Sequence, residues 1–231
     1  ATPEIYTLSL HDALPISYID LIEPLREGTA EVLLASEAGV LIRINGNTLC
    51  SALFDERSLP DFARHMIGSN HAICVHDGPL VGYLKEKGLV YHLGCVQAVY
   101  TSKQKCTLSS QFSIQIVGPD DLNIVLEHYK HADKEYITDR VASGCMRKAV
   151  VDGRLAAFIG RHAEGTIGML QVLPDFRRRH IGEELEKAYI NLLLEEGRTP
   201  YCHVDTNNAA SLALQKKLGM SFSQEIVHWF N

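Results

Sequence analysis

Three consecutive arginines stand in the segment whose residue types best fit a phosphate-binding loop. Residues 171–185 read QVLPDFRRRHIGEEL, in which a proline turn precedes the arginines and Gly182 follows them. The pattern predicts that the arginines lie directly before a helix, where unpaired N–H groups and the helix dipole favour an anion such as a pyrophosphate. Gly182 would let that anion approach the backbone closely. A basic loop that merely caps an amphipathic helix has the same pattern, so the segment alone leaves both interpretations open.

The elements that must position this loop are predicted from the spacing of apolar residues. A strand is expected over 165–173 before the loop, and the longest helix of the chain over 178–196 after it. A further strand over 201–205 would place His203 and Asp205 on one face. Those two side chains would either line an acceptor site or face solvent.

The first half of the chain has strand and helix signals but no phosphate loop. Asn45-Gly46 lies between two apolar runs and predicts a hairpin, because both residues accept a positive φ. Residues 58–61 read SLPD and predict a helix start, with Ser58 as the capping hydroxyl.

A second motif follows the arginine loop at a fixed distance. Residues 204–219 read VDTNNAASLALQKKLG, in which a strand ends, Asn208 precedes a helix and a Leu-Gly pair ends that helix. The two segments together resemble the acyl-coenzyme A loop and the strand–Asn–helix–Leu-Gly element of GNAT N-acyltransferases. Arg177 and Gly182 match the first and last positions of the family's loop pattern, whereas His180 stands where glycine is usual.

Within that family the chain most resembles the glycine N-acyltransferase-like branch. The segments LPDFRRRHI and PYCHVDTNN are similar to the corresponding segments of that branch. Its members have a degenerate GNAT-like first half before the catalytic half. The resemblance therefore implies an accessory domain over 18–108 and a catalytic GNAT domain over 109–231, with the boundary inside the polar stretch SKQKCTLSS at 102–110.

The resemblance also implies a fold, a ligand and a reaction. The fold is expected to be α/β (α+β), with a mixed, largely antiparallel sheet flanked by helices, preceded by the smaller α/β accessory domain. An acyl group, expected to be acetyl, would pass from acetyl-CoA or another acyl-CoA to the primary amine of a small-molecule acceptor, by direct attack in a ternary complex and without a metal. The thioester would lie between the strands at 165–173 and 201–205, where backbone N–H groups near residues 170–172 polarise its carbonyl. The residues implied to bind acyl-CoA are Leu170, Gln171, Val172, Leu173, Arg177, Arg178, Arg179, His180, Ile181, Gly182, Glu183, Asn208, Ser211 and Gln215.

Unusual residues occupy the positions of the family's base and acid. Thr166 stands where glutamate is common, so Glu164, two residues earlier, is the predicted base; it could instead be an ordinary acid in the turn beside Gly165. Gln215 stands where the family has a tyrosine acid, so Ser211, one helical turn away, is expected to bind the sulfur or the pantetheine. Two alternatives therefore stay open: a non-catalytic acyl-CoA-binding or regulatory module, and an interaction scaffold with a vestigial loop.

Composition excludes several other classes. The net charge of -6 argues against a nucleic-acid partner, which would require a basic face. No apolar run approaches the roughly 20 residues of a membrane span, so no membrane partner is expected. The six cysteines lie singly without a CxxC pair, which predicts reduced thiols and no zinc site. We expect a cytoplasmic monomer or homodimer.

The first 17 residues, ATPEIYTLSLHDALPIS, resemble the conceptual translation of a sequencing adapter. The resemblance is unbroken from Glu4 to Ser17. We therefore expect residues 1–17 to be a non-native segment, with the true coding sequence entering near Tyr18.

Overall fold

The computed structural model describes residues 16–109 and 112–231. Residues 1–15 of the predicted adapter segment lie outside the described part, whereas Ser17 is buried and its carbonyl accepts a 2.5 Å hydrogen bond from Gln97. The strands are β1 (Ala30–Ser36), β2 (Gly39–Ile44), β3 (Thr48–Leu53), β4 (Ala72–His76), β5 (Tyr91–Val99), β6 (Ser113–Ile116), β7 (Arg147–Val151), β8 (Arg154–Arg161), β9 (Ile167–Val172), β10 (Tyr201–Asp205) and β11 (Ser221–Phe230). The helices are α1 (Ile19–Arg26), α2 (Leu59–Ala63), α3 (Pro79–Glu86), α4 (Leu122–His128), α5 (Lys134–Ala142), α6 (Ile181–Glu195) and α7 (Ala209–Lys217). No helix in these described ranges is long and apolar enough to cross a membrane.

The strands form two sheets. The larger has the order β1-β2-β3-β4-β11-β5-β10, and the smaller has the order β6-β7-β8-β9. Neighbouring strands are antiparallel except β3 and β4, which run parallel. This mixed, largely antiparallel arrangement with flanking helices confirms the predicted fold class.

The two halves of the chain repeat one order of elements. Three antiparallel strands, a helix, a strand, a helix and a last strand occur first as β1 to β5 with α2 and α3, and again as β7 to β11 with α6 and α7. Each last strand pairs with the other half: β5 with β10, and β11 with β4, while β5 and β11 pair with each other. The larger sheet thus crosses the expected division between 18–108 and 109–231, and that division stays a prediction.

The last strand completes the hydrophobic core of the first half. Phe230 is 1% exposed and packs in a cluster with Leu41, Leu49 and Ile73. Val227 packs in the cluster on the other face of the same sheet, with Cys50. Because these contacts join the C-terminal strand to first-half strands, we expect the halves to unfold together.

Replacing Phe230 by alanine tests this coupling. The cavity should lower the free energy of unfolding by about 3–5 kcal/mol. Urea titrations followed by the fluorescence of Trp229, the single tryptophan, and by far-ultraviolet circular dichroism should show one coincident transition for both proteins. Phe54→Ala is the matched control, because Phe54 is 53% exposed and its loss should cost about 0.5 kcal/mol or less. Two separate transitions in the unmodified protein would contradict the coupling.

Candidate functional site

The arginine loop connects β9 to α6 by a route that needs unusual backbone angles. A short 3-10 turn over Pro174–Phe176 follows β9, and the buried ring of Phe176 anchors it to the core. Arg178 and His180 then both adopt φ values of 60°, and α6 begins at Ile181. His180 therefore takes the left-handed conformation that favours glycine, which costs a non-glycine residue about 1–2 kcal/mol. The loop is therefore strained where it enters α6.

A cleft of about 380 Å³ opens where this loop, the first turn of α6 and one face of α7 meet. Half of the residues predicted to bind acyl-CoA line it: Val172, Arg177, Arg178, His180, Ile181, Gly182 and Glu183. Four lining residues were not predicted, namely Phe176, Ala213, Leu214 and Lys217. The first-turn N–H groups of α6 and the surrounding cations make this cleft suitable for an anion.

Lys217 joins the two helical walls of the cleft. Its Nζ lies 2.5 Å from Oε2 of Glu183, and Lys187 Nζ lies 3.0 Å from Oε1 of the same carboxylate. The hydrogen bond from Lys217 is the main reason that the pKa of Glu183 falls to about 2. Because the carboxylate is paired, Arg177 and Arg178 remain exposed as cations at the cleft. In the sequence, the Lys216-Lys217 pair directly before Leu218-Gly219 was the signal from which a cation at this position could have been predicted.

Gly182 allows close packing between α6 and β9. A β-carbon at this position would lie 3.0 Å from Cγ2 of Val172 and 3.8 Å from Cδ2 of Leu170. A side chain here would therefore require Val172 to shift at the point where α6 and β9 meet.

A bulge interrupts the strand that leads into the loop. Gly168 pairs with Gly160 and Gln171 with Phe158, so Met169 and Leu170 together face one residue of β8. Met169 has a φ of 57°, in the left-handed region. Such bulges bend a strand and redirect its backbone groups.

The free edge of β9 faces β10, which belongs to the other sheet. The Leu173 N–H donates to the Ala156 carbonyl of β8 at 2.9 Å. Successive backbone amides of a strand point to opposite sides, so the Val172 amide points to the free edge. At the beginning of the two strands, the Tyr201 hydroxyl donates to the Glu164 carbonyl at 3.1 Å. The gap predicted between these strands is therefore the boundary between the two sheets.

Comparisons with known proteins agree with this architecture. Residues 143–228 match the family model described as FR47-like protein. A Drosophila protein of known X-ray structure is 18% identical, with 83% of this chain and 73% of that chain covered and a TM-score of 0.65. A putative GNAT-family acetyltransferase from Novosphingobium aromaticivorans is 16% identical (93% and 95% covered, TM-score 0.58). A GCN5-related N-acetyltransferase from Kribbella flavida is 13% identical (94% and 95% covered, TM-score 0.61). At these identities the solved structures show that this chain shares their fold. No curated protein matches the chain significantly, and the glycine N-acyltransferase-like branch stays a prediction.

The other residues expected to bind acyl-CoA lie around this cleft rather than in its lining. Leu170, Gln171 and Leu173 are partly buried on or beside β9. Arg179 lies over the Phe176 ring, 5.7 Å from its centroid. Asn208 caps α7, because its Oδ1 accepts a 3.0 Å hydrogen bond from the Ser211 amide.

The structure does not bring the two candidate catalytic residues together. Glu164 lies beside Tyr201 at the beginning of β10, whereas Ser211 follows the end of β10, roughly 13 Å further along at the rise of an extended strand. Glu164 accepts a 2.7 Å hydrogen bond from the buried Thr166 hydroxyl. Its surroundings are rich in tyrosine: burial, aided by the Glu164 charge, raises the pKa of Tyr129 to about 12.

Gln215 is 3% exposed and turns away from the cleft toward α6. Its Nε2 donates to Oε1 of Glu186 at 2.9 Å, while Oε1 of Gln215 and Oε2 of Glu186 have no hydrogen-bond partner in the described residues. Burial raises the pKa of Glu186 to about 7, because the charged carboxylate is poorly solvated there. A protonated Glu186 would supply the donor that the Gln215 oxygen lacks, so the pair is best satisfied as a neutral acid and an amide.

The pKa of Glu186 predicts a specific pH dependence of stability. The pKa of Glu186 in the folded protein lies above its usual value of 4.5, so the folded state binds a proton more tightly than the unfolded state does. The protonated carboxyl therefore stabilises the fold, and this stabilisation is complete below pH 4.5. It should be lost as the pH rises toward 7, by roughly 3 kcal/mol. Glu186→Gln should remove this component, so that the variant gains stability over the unmodified protein between about pH 5 and pH 8.

Chemical denaturation across that pH range measures the difference. Glu195→Gln, at the exposed end of the same helix, is the control and should follow the unmodified protein. Parallel pH profiles for Glu186→Gln and the unmodified protein would refute the neutral-acid interpretation.

Proposed function

We propose that the chain is an acyl-CoA-dependent N-acyltransferase that acylates the primary amine of a small molecule, with acetyl as the first acyl group to test. The observation that carries this proposal is the convergence of a helix N-terminus, a left-handed arginine loop and Lys217 on one cleft at the free edge of β9. Matching folds in proteins described as GNAT acetyltransferases support acyl transfer in general terms. The branch, acceptor and acyl chain length belong to the proposal.

The cleft suits the phosphate end of the co-substrate. A pyrophosphate needs several donors and compensating positive charge, and the first turn of α6 supplies backbone N–H groups. Arg177 and Arg178 are exposed on one side, and Lys217 lies on the other. Glu183 does not oppose binding, because Lys187 and Lys217 neutralise its carboxylate.

The boundary between β9 and β10 suits the thioester end. There the Val172 amide would donate a hydrogen bond to the ligand along the free edge of the strand, and the bulge at Met169 changes the direction of the neighbouring amides. Acyl-CoA, when bound, supplies the activated acyl carbon. The protein's contribution at this point is orientation and polarisation by backbone groups.

Proton transfer is assigned to Glu164. Because Glu164 lies just before the beginning of β9 and the Val172 amide at its end, the carboxylate would take the proton of the acceptor ammonium through a chain of waters, and the free amine would attack the acyl carbon. A C–N bond forms, the C–S bond breaks, and the coenzyme leaves as a thiolate that acquires a proton from solvent or a neighbouring donor. Ser211 is suited to a hydrogen bond with the sulfur or pantetheine only if the ligand extends to the end of β10.

The first half of the chain would act as part of the scaffold. Its last strand, β5, pairs along all five residues of β10 and so holds one wall of the boundary where the thioester would lie. We propose that the 18–108 segment is an accessory domain in this sense, and that 109–231 contains the cleft.

One observation favours the alternative of a non-catalytic acyl-CoA-binding module. Gln215 occupies the position of the family's tyrosine acid and is buried against Glu186, so it offers no acidic proton to a thiolate. Thiol release from acetyl-CoA with a panel of small primary amines separates the two functions. Ligand binding without thiol release for any amine would favour the binding module, and absence of binding would favour the scaffold.

Removing one cleft cation should weaken acetyl-CoA binding. Lys217→Ala and Arg178→Ala should each raise the dissociation constant about tenfold, because a charge-assisted hydrogen bond contributes about 1.5–3 kcal/mol. Isothermal titration calorimetry measures the effect. Lys216→Ala is the matched control, since Lys216 neighbours Lys217 but does not line the cleft. Equal loss in the control, or none in the two variants, would place the phosphates elsewhere.

Glu164→Gln should separate chemistry from binding. The variant should retain its affinity for acetyl-CoA but lose about a hundredfold or more in kcat, because glutamine cannot accept the ammonium proton. The control is Glu37→Gln, an exposed acid in the turn between β1 and β2. An unchanged kcat in the Glu164 variant would assign the base to another group.

A further inference from the structure

A second group of reactive side chains lies in the interior, outside the cleft, and the proposed acyl transfer does not use it. Asp20, in the first turn of α1, is at its centre and is 2% exposed. Its Oδ1 lies 3.0 Å from His76 Nε2, and its Oδ2 lies 3.4 Å from Cys50 Sγ. The same Oδ2 lies 3.8 Å from Cys74 Sγ and 3.5 Å from His203 Nε2. We refer to these five residues as the Asp20 cluster.

The register of the larger sheet brings these donors together. Cys50 of β3 and Cys74 of β4 stand opposite each other in the parallel pair. His76 follows Cys74 by two residues and so shares its face of β4. His203 comes from β10, in the other half of the chain. The cluster thus combines four elements that are distant in sequence.

We propose that the Asp20 cluster binds one Zn²⁺ ion. Two thiols, two imidazoles and a carboxylate form the donor set that this borderline-soft cation prefers. The ligand atoms of Asp20, Cys50 and His76 all lie within 4.8 Å of one another, and so do those of Asp20, Cys74 and His203. Each group provides three of the four ligands of a tetrahedral site, and both contain the same carboxylate.

Unpaired nitrogen atoms support a bound cation. Within the described part of the chain, both ring nitrogens of His203 are buried without a hydrogen-bond partner, and so is Nδ1 of His76. The His203 side chain is 7% exposed, so water does not readily replace those partners. Buried polar atoms without partners are rare in folded proteins, and coordination would give His203 one. The competing explanation is a metal-free network in which a protonated His76 pairs with Asp20.

The site would be structural rather than catalytic. All of its side chains are buried, as in closed zinc sites, whereas a catalytic zinc keeps a position open to substrate. Four of the five candidate donors come from the first half and His203 comes from the second, so an ion bound by His203 and three of the others would join β10 to the first half. Binding free energy at such a site adds to folding free energy. The expectation of no zinc site was based on the missing CxxC pair, which detects only ligands that are close in sequence.

Metal analysis of the full chain is the first test. Mass-spectrometric analysis of protein purified without chelators should find about one zinc per chain. After chelation, added Co²⁺ should give the thiolate-to-metal charge-transfer absorption of cysteine ligands, and removal of metal should lower the Tm. A folded full chain that contains far less than one zinc and shows no such absorption with Co²⁺ would overturn the proposal.

Variants assign the site to these residues. Cys74→Ser and His203→Asn should each lower the zinc content and abolish the Tm increase on adding Zn²⁺ to chelated protein. Cys202→Ser is the matched control, because Cys202 is also buried and precedes His203 on the opposite face of β10. Retention of one zinc by both cluster variants would exclude the site. If Cys74→Ser fails to fold, His203→Asn and the cobalt spectrum of the unmodified chain still decide the outcome.

Discussion

Hydrogen bonds between β5 and β11, the last strands of the two halves, run through the larger sheet and hold it together. Each of these strands also pairs with the opposite half, β5 with β10 and β11 with β4. The larger sheet therefore needs strands from both halves, whereas the smaller sheet lies entirely in the second half. Phe230 and Val227 add their side chains to the two first-half core clusters, so the end of the chain stabilises its beginning. In the same way, β10 forms one side of the boundary with β9 and depends on its pairing with β5.

The cleft depends on contacts between α6 and its neighbours. Gly182 allows the helix to approach β9, and the strained angle at His180 directs the loop into the first helical turn. Two glutamates of α6 then contact α7: Glu183 through Lys217, and Glu186 through Gln215. The first contact is exposed to the ligand and ionic, whereas the second is buried and favours the protonated acid. Charge is thus concentrated where an anion would bind and minimised in the core behind it.

The Asp20 cluster has the opposite character to the cleft. Its donors converge in the interior, and its acid is surrounded by thiols and imidazoles rather than by arginine or lysine. Because His203 is contributed by β10, the cluster and the thioester boundary share a strand. A cation in the cluster would therefore restrain the strand whose opposite partner, β9, presents backbone amides to the ligand. Scaffold and reaction site would then be coupled through β10.

Local features of this protein were determined by the sequence. The Asn45-Gly46 hairpin forms with both residues at positive φ, and the helix expected over 178–196 is found as Ile181–Glu195. Turn chemistry and helical periodicity depend on neighbouring residues, so they can be read from the chain. The helix start at Ser58 shows the limit of such reading, because the hydroxyl makes no capping bond and the helix ends at Ala63.

Three features were decided only by the tertiary structure. They are the pairing of β5 and β11 with strands of the opposite half, the ion pair between Lys217 and Glu183, and the convergence of the side chains of the Asp20 cluster. These contacts join residues from 30 to 183 positions apart, and their geometry is set by sheet register and helix packing, which no local pattern encodes.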